Sequence, residues 1–397
     1  MPDIKYAQTE AVDKGSLKVE VLTNRTRRPI EGARITISYS GDPDSTVEEV
    51  SADDSGMSEK LTLDAPPLEY SMEPSENQPF AQYTVKVTAP GYRPVSISGV
   101  QVFSEQLALQ QVRMAEENEE ENQIDSIVIP VNTLFGNFPA KIAESEIKPV
   151  SDSGEIVLSK VVIPEFVVVH DGPPSDPNAA NYYVRANILA IMSFTLNRVY
   201  TEWYRNKGYN FTITTSTAFD QKFVYGRNIF QSISDVVDEM FQNYLSRPNV
   251  RQPILTQYCD GQRVTCSNWL SQWGSKYLGD QNYETIEILR YYYGDNMFIN
   301  TAEEISGIPA SWPRYNLEVG AAGDKVRQIQ EQLARISQAY PAIPTITPDG
   351  IYGEATKAAV EKFQSIFGLP VTGVVDYRTW YKISEIYVAV TRIAELV

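Results

Sequence analysis

The sequence predicts a multidomain chain: an N-terminal antiparallel β-sandwich, a central α+β module and a C-terminal module of three helices. Three observations predict it. Apolar residues alternate with period two up to about Met114. A carboxylate run follows, Glu116-Glu117-Asn118-Glu119-Glu120-Glu121-Asn122, with five acids in seven positions. Such a run cannot be buried and marks a linker. Beyond it, apolar residues recur at helical spacing, first mixed with short strands and then without them. The boundaries fall at 1–115, a linker at 116–164, 165–300, a short linker at 301–316, and 317–397. A length of 397 residues suits two to four domains at ~100–200 residues each.

In the first module the alternating sets are Leu17, Val19, Val21; Ile35, Ile37, Tyr39; Tyr83, Val85, Val87; and Val95, Ile97. Turn residues separate them: Gly41-Asp42-Pro43-Asp44, Asp54-Ser55-Gly56 and Ala89-Pro90-Gly91-Tyr92. Short strands at regular spacing read as a small sandwich. The linker after it carries scattered prolines and weak strands such as Ile127-Val128-Ile129, and is a natural place for proteolysis.

The central module opens with the apolar run Phe166-Val167-Val168-Val169, short enough for a buried strand. Ala186, Leu189, Ala190, Ser193, Phe194 and Asn197 then lie at helical spacing, with Ile188, Ile191, Met192 and Leu196 thickening the apolar face. Phe211-Thr212-Ile213-Thr214 predicts a strand, and Ile229 to Leu245 an amphipathic helix. In the third module Val326, Ile329 and Leu333 make one helical stripe, and Thr356, Ala359, Val360 and Phe363 another. Asp349-Gly350 and Thr372-Gly373 read as turns that need permissive backbone angles.

Charge and composition remove whole classes of function. Lys and Arg total 34 against 51 Asp and Glu, a net charge of -17. That disfavours nucleic acid and anionic membrane as partners. A single histidine, His170, leaves no His-rich zinc site. His170 ends the apolar run, and a structural role there is the plainer reading. Cys259 and Cys266 have no histidine near them, so thiols or a local disulfide are expected rather than metal. A peptidase using Cys259 with His170 sits in no known peptidase motif. No cofactor is expected. The start of the chain lacks an apolar export segment, and no apolar run approaches the ~20 residues of a membrane span.

Three resemblances complete the reading. Arg28-Pro29-Ile30-Glu31-Gly32-Ala33, Asp53-Asp54-Ser55-Gly56 and Ala89-Pro90-Gly91-Tyr92 resemble the carboxypeptidase-regulatory-like sandwich, a structural family. The third module carries Val326, Ile329-Gln330, Leu333, Asp349-Gly350-Ile351-Tyr352-Gly353, Phe363-Gln364, Thr372-Gly373 and Thr379-Trp380. This resembles the peptidoglycan-binding domain of bacterial wall hydrolases, and implies Asp349, Tyr352, Phe363, Gln364 and Trp380 as its signature residues. Arg185-Ala186-Asn187, Phe211 to Gln221, Phe223-Val224-Tyr225-Gly226-Arg227, Gln257-Tyr258-Cys259-Asp260-Gly261 and Gln272-Trp273-Gly274 resemble the SpoIID-type lytic transglycosylase domain.

The order of modules is similar to that of the clostridial spore cortex-lytic enzymes of the SleC type. The resemblance implies a peptidoglycan lytic transglycosylase stored as a zymogen at the cortex or coat of the spore. A subtilisin-like germination protease would remove the N-terminal segment. The enzyme would then cut muramic acid–GlcNAc bonds to 1,6-anhydro ends. One carboxyl group suffices for that reaction: it protonates the leaving oxygen, then accepts the proton of the attacking sugar hydroxyl. Asp220, Gln221, Tyr225, Tyr258, Asp260, Gln272 and Trp273 are the candidate cleft residues.

The chain departs from that pattern at one place. Relatives carry the catalytic Glu in a segment before the Arg-Ala-Asn helix, and this chain passes from Val184 directly to Arg185. The nearest substitute is Glu202, expected on the same helix, where a solvated charge beside Arg198 and Arg205 is the plainer reading. The alternative function is therefore a catalytically inactive relative that binds cortex glycan.

Overall fold

A computed structural model describes residues 12–72, 77–118, 126–128, 182–209, 211–214, 219–221, 224, 226–262, 264–302, 312–313 and 315–391. The strand expected at Phe166–Val169, the histidine His170, most of the linker and Tyr225 lie outside them.

The N-terminal module contains β1 (Asp13–Thr23), β2 (Arg34–Tyr39), β3 (Asp42–Ser51), β4 (Leu61–Ala65), α1 (Glu69–Met72), β5 (Phe80–Thr88), β6 (Val95–Phe103) and β7 (Leu107–Met114). Leu17, Val19, Val21, Ile35, Ile37, Tyr83, Val85 and Val87 are all fully buried between two sheets as the alternation expects, but Tyr39, expected with them, is exposed at the strand end. The sheets are mixed, however, where an antiparallel sandwich was expected. β1 pairs β4 antiparallel but β7 parallel. The chain leaves β1 to build the second sheet and returns beside it in the same direction, which sequence alternation cannot reveal.

Both sheets extend into later parts of the chain. β8 (Ser126–Val128) adds to β6 in parallel. β9 (Ile229–Phe230), from the central module, adds antiparallel to β7. The strand orders are β4-β1-β7-β9 and β3-β2-β5-β6-β8.

The central module is organised by α2 (Tyr182–Tyr200). Fourteen of its 19 residues are buried, including both polar and apolar faces, so it is a core helix rather than a surface one. It runs without a break through Val184 and Arg185. Around it pack α3 (Gln231–Met240), β10 (Asn243–Ser246), α4 (Gln272–Asp280) and α5 (Thr285–Tyr293). Short strands β11 (Tyr258–Cys259) and β12 (Leu270–Ser271) pair in parallel, and β10 pairs β13 (Phe298–Thr301).

Two expectations fail here. The helix expected from Ile229 to Leu245 keeps only Gln231–Met240, because each flank is captured by a distant strand: Ile229–Phe230 by β7 and Asn243–Ser246 by β13. Phe211–Thr214 is not a strand; Thr214 turns its N–H to a carboxylate instead.

The C-terminal module has the three expected helices: α6 (Asp324–Ile336), α7 (Glu354–Ile366) and α8 (Tyr377–Thr391). Val326, Ile329, Leu333, Phe363 and Trp380 form its core. Leu22 of the sandwich packs into the same cluster, and the Tyr340 hydroxyl donates to the Arg27 carbonyl. On the other side Arg378 pairs with Asp235 of α3, and the Gln242 backbone N–H donates to the Tyr377 hydroxyl.

Candidate functional site

The described candidate cleft residues are spread along α2: Asp220 at its last turn, Gln221 at its middle, and Asp260, Gln272 and Trp273 around the α4 start that packs near Asn187. The Asp220 side chain is fully buried. Arg198, on the last turn of α2, donates from Nε to Oδ1 at 2.7 Å. The Tyr204 hydroxyl donates to Oδ2 at 2.6 Å, and the backbone N–H and hydroxyl of Thr214 each donate at 2.9 Å. A carboxylate holding a guanidinium and three further donors is fixed in place. It is a positioned anchor, committed to four donors. Burial, then the Asp220 charge, pushes the Tyr204 hydroxyl well above the ordinary tyrosine range.

Gln221 is equally committed. Its Nε2 donates to the Ile191 carbonyl at 3.0 Å, and its Oε1 accepts from Thr195. Both partners belong to α2, so Gln221 ties the loop to the helix.

Aromatic and cationic groups cover this anchor. The Arg198 guanidinium lies 5.1 Å from the Phe194 ring and 5.0 Å from that of Trp203. Lys207 places its ammonium 3.7 Å from the Trp203 ring centre. Phe194 in turn meets Tyr258 edge-on at 6.5 Å. Burial and the Asp220 charge push the Tyr258 hydroxyl above its ordinary range. Phe194 thus joins the Asp220 anchor to the loop that follows Tyr258.

That loop is closed by a disulfide between Cys259 and Cys266. Asp260 Oδ1 accepts the backbone N–H groups of Gln262 and Val264 inside it, and the Asp260 carbonyl accepts the Trp273 N–H. Asp260 is a turn-former here. Gly261 has a φ of +83°, and a Cβ there would meet Ser271 Oγ at 1.8 Å. Ser271 caps α4 by accepting the Gly274 N–H. Gln272 is buried at the first position of α4, and Trp273 beside it is half-exposed. Asn187 Nδ2 donates to Ser275 Oγ and locks α4 against α2.

Glu202 lies just beyond α2 rather than on it, exposed, with a φ of +46°. It stands in solvent, away from the Asp220 anchor's buried bonds.

Sequence reasoning missed Arg198, Tyr204 and Thr214, the groups that fix Asp220. A charge at a position that continues the Ala190–Phe194 face of α2 was the available signal. Among the described residues no cluster of three His, Cys, Asp or Glu is arranged to hold a metal.

In the C-terminal module, Tyr352, Phe363 and Trp380 are fully enclosed and Gln364 is nearly so. They shape the module from inside. Asp349 stands at the surface, with Ile351 N–H and Gln330 Nε2 donating to its Oδ1.

Comparison with known proteins identifies this last module. Residues 322–383 match the family described as "Putative peptidoglycan binding domain". The C-terminal module thus matches a peptidoglycan-binding domain, which supports an association with the cell wall. A zinc D-Ala-D-Ala carboxypeptidase of Streptomyces albus G is 39% identical over 71 residues, which are 18% of this chain and 26% of that protein. The chain thus spans about a quarter of that relative's length. Among solved structures, the SleB N-terminal domain is 33% identical over 16% of this chain and 81% of its own, with a TM-score of 0.14. The 5-hydroxyisourate hydrolase of Klebsiella pneumoniae is 12% identical over 26% of this chain and 92% of its own, with a TM-score of 0.17. No helix among the described residues is long and apolar enough to cross a membrane.

Proposed function

We propose that this chain is a peptidoglycan-binding protein of the spore cortex whose SpoIID-like central module holds glycan without cutting it. The observation that carries the reading is the state of the carboxylates. Asp220 spends its lone pairs on Arg198, Tyr204 and Thr214, and Asp260 spends Oδ1 on its own turn. Glu202 is exposed beyond the helix. The helix runs unbroken where relatives insert the acid-bearing segment. Among these described carboxylates none is left free beside the cleft to protonate a leaving oxygen. What remains is a wall-binding domain together with a central module that exposes aromatic rings such as Trp203, with Lys207 against it. Such surfaces suit sugar rings, whose C–H faces pack on aromatics.

The test is incubation of the full chain with purified cortex fragments. Retention in the pellet with no new ends is expected. Soluble fragments with 1,6-anhydromuramic ends, seen by mass spectrometry, would overturn the reading.

A second reading keeps the enzyme: a cortex-lytic transglycosylase stored as a zymogen and activated by a subtilisin-like protease in the linker. The order of the modules read from the sequence supports it, since that order resembles the SleC-type enzymes. It requires an acid outside the described residues. Repeating the incubation after limited subtilisin digestion separates the two, because only this reading expects anhydro ends to appear on cutting.

A further inference from the structure

The central module inserts into the hydrophobic core of the sandwich. Phe230 of the central module is buried within the sandwich cluster, and Val224 and Ile233 pack against it. Its ring meets Phe103 edge-on at 5.2 Å. Polar groups are matched across the same boundary. Asn228 is fully buried, and its side-chain amide completes the edge of β6: Oδ1 accepts the Gln101 N–H at 3.0 Å, and Nδ2 donates to the Gln101 carbonyl at 2.9 Å. Arg227 Nη2 donates to Gln101 Oε1, Gln110 Nε2 to the Gly226 carbonyl, and Ser232 Oγ to Gln106 Oε1. Ile127, the middle residue of β8, lies close enough to Gly226 that a Cβ there would meet it at 2.7 Å.

We propose that the stretch from Gly226 to Ile233 is a docking surface for the sandwich as a separate chain. A cut between residues 129 and 164 then yields a stable two-chain complex, not a freed N-terminal domain. Three features argue for this. The contact completes a β-sheet, so separation would leave the β7 edge and the Asn228–Gln101 pair without partners. It uses buried aromatic residues rather than rim charges, and such anchors dominate binding energy. The C-terminal module also grips the sandwich, through Leu22 and the Arg27 carbonyl. The N-terminal module therefore behaves as a permanent subunit that aligns the other two. This holds whether or not the central module cuts glycan.

The experiment inserts a recognition sequence for a specific protease after Ser151 in the full chain, cuts it, and follows the fragments by size-exclusion chromatography in native buffer. Co-elution at the size of the uncut chain, lost only in denaturant, is the expected result. Two separate peaks at micromolar concentration would overturn the proposal. Phe230→Asp, first checked uncut by circular dichroism, should weaken the cut complex at least about 100-fold. Asn228→Ala is the milder second variant and should weaken it by about tenfold. If the cut complex of a folded variant is as tight as the wild type, the surface is wrongly assigned. If Phe230→Asp does not fold, the wild-type elution and Asn228→Ala still decide.

Discussion

Gln330 and Gln364 hold equivalent places in the C-terminal module. Each sits on a helix, is almost fully buried, and clips a following Xaa-Gly turn to a threonine on the next helix. Gln330 Nε2 donates to Asp349 Oδ1, the Ile351 carbonyl and Thr356 Oγ1, while its Oε1 accepts the Gly350 N–H. Gln364 Nε2 donates to Thr372 Oγ1, the Val374 carbonyl and Thr379 Oγ1, while its Oε1 accepts the Thr372 and Gly373 N–H groups. Gly350 and Gly373 both have positive φ, at +81° and +65°. Gln330→Leu or Gln364→Leu leaves buried turn groups without partners, and each should cost at least about 2 kcal/mol in denaturant unfolding. Glutamate should distinguish the two positions. Gln330→Glu faces the Asp349 carboxylate and should be the more harmful; equal effects would contradict that geometry.

The Arg198–Asp220 pair should behave as a buried ion pair, because its side chains are 9% and 0% exposed. Asp220→Asn leaves a desolvated guanidinium and should cost about 3–5 kcal/mol. Replacing both, with Arg198→Met and Asp220→Leu, should cost less than the sum of the single changes. Additive losses in the double-mutant cycle would show that the two side chains are not coupled. Glycan binding by folded variants gives a separate readout of whether the anchor shapes the cleft.

The C-terminal helices were legible because their signals are local: a helical period and glycines where the backbone needs positive φ. The central module was less legible because its elements are decided by distant partners. Ile229–Phe230 reads as the start of a helix until β7 captures it. Phe211–Thr214 alternates like a strand, but Thr214 is drawn to Asp220. Arg198 reads as a solvated helix charge until Asp220, 22 residues later, takes it inside. Tyr352, Phe363 and Trp380 carry the family pattern because they build the core, and a motif alone does not separate core from surface.

The Cys259–Cys266 disulfide closes an eight-residue loop next to the candidate cleft, given a sequence separation of 7. Loop-closure entropy for that length corresponds to about 2.5 kcal/mol. Reduction should lower the unfolding midpoint accordingly and loosen the Asp260 turn. Thiol titration of the denatured, unreduced protein should find no free cysteine. Two free thiols there would remove the loop constraint from the account of the site.

Asp349 links the C-terminal module to pH. The Ile351 N–H and the Gln330 amide stabilise its ionised form and hold its carboxyl below the ordinary value of 3.8. A carboxyl with a depressed folded pKa stabilises the folded state fully above its unfolded pKa. That contribution fades as pH falls below about 3.8 and through the lower folded value. Asp349→Asn has no such proton to gain. The variant should therefore be less stable than the wild type near neutrality, and the gap should narrow as the solution is acidified below pH 4. Unfolding midpoints at a series of pH values measure it. A gap that stays constant down to acid pH would mean that Asp349 acts through its shape in the turn and not through its charge.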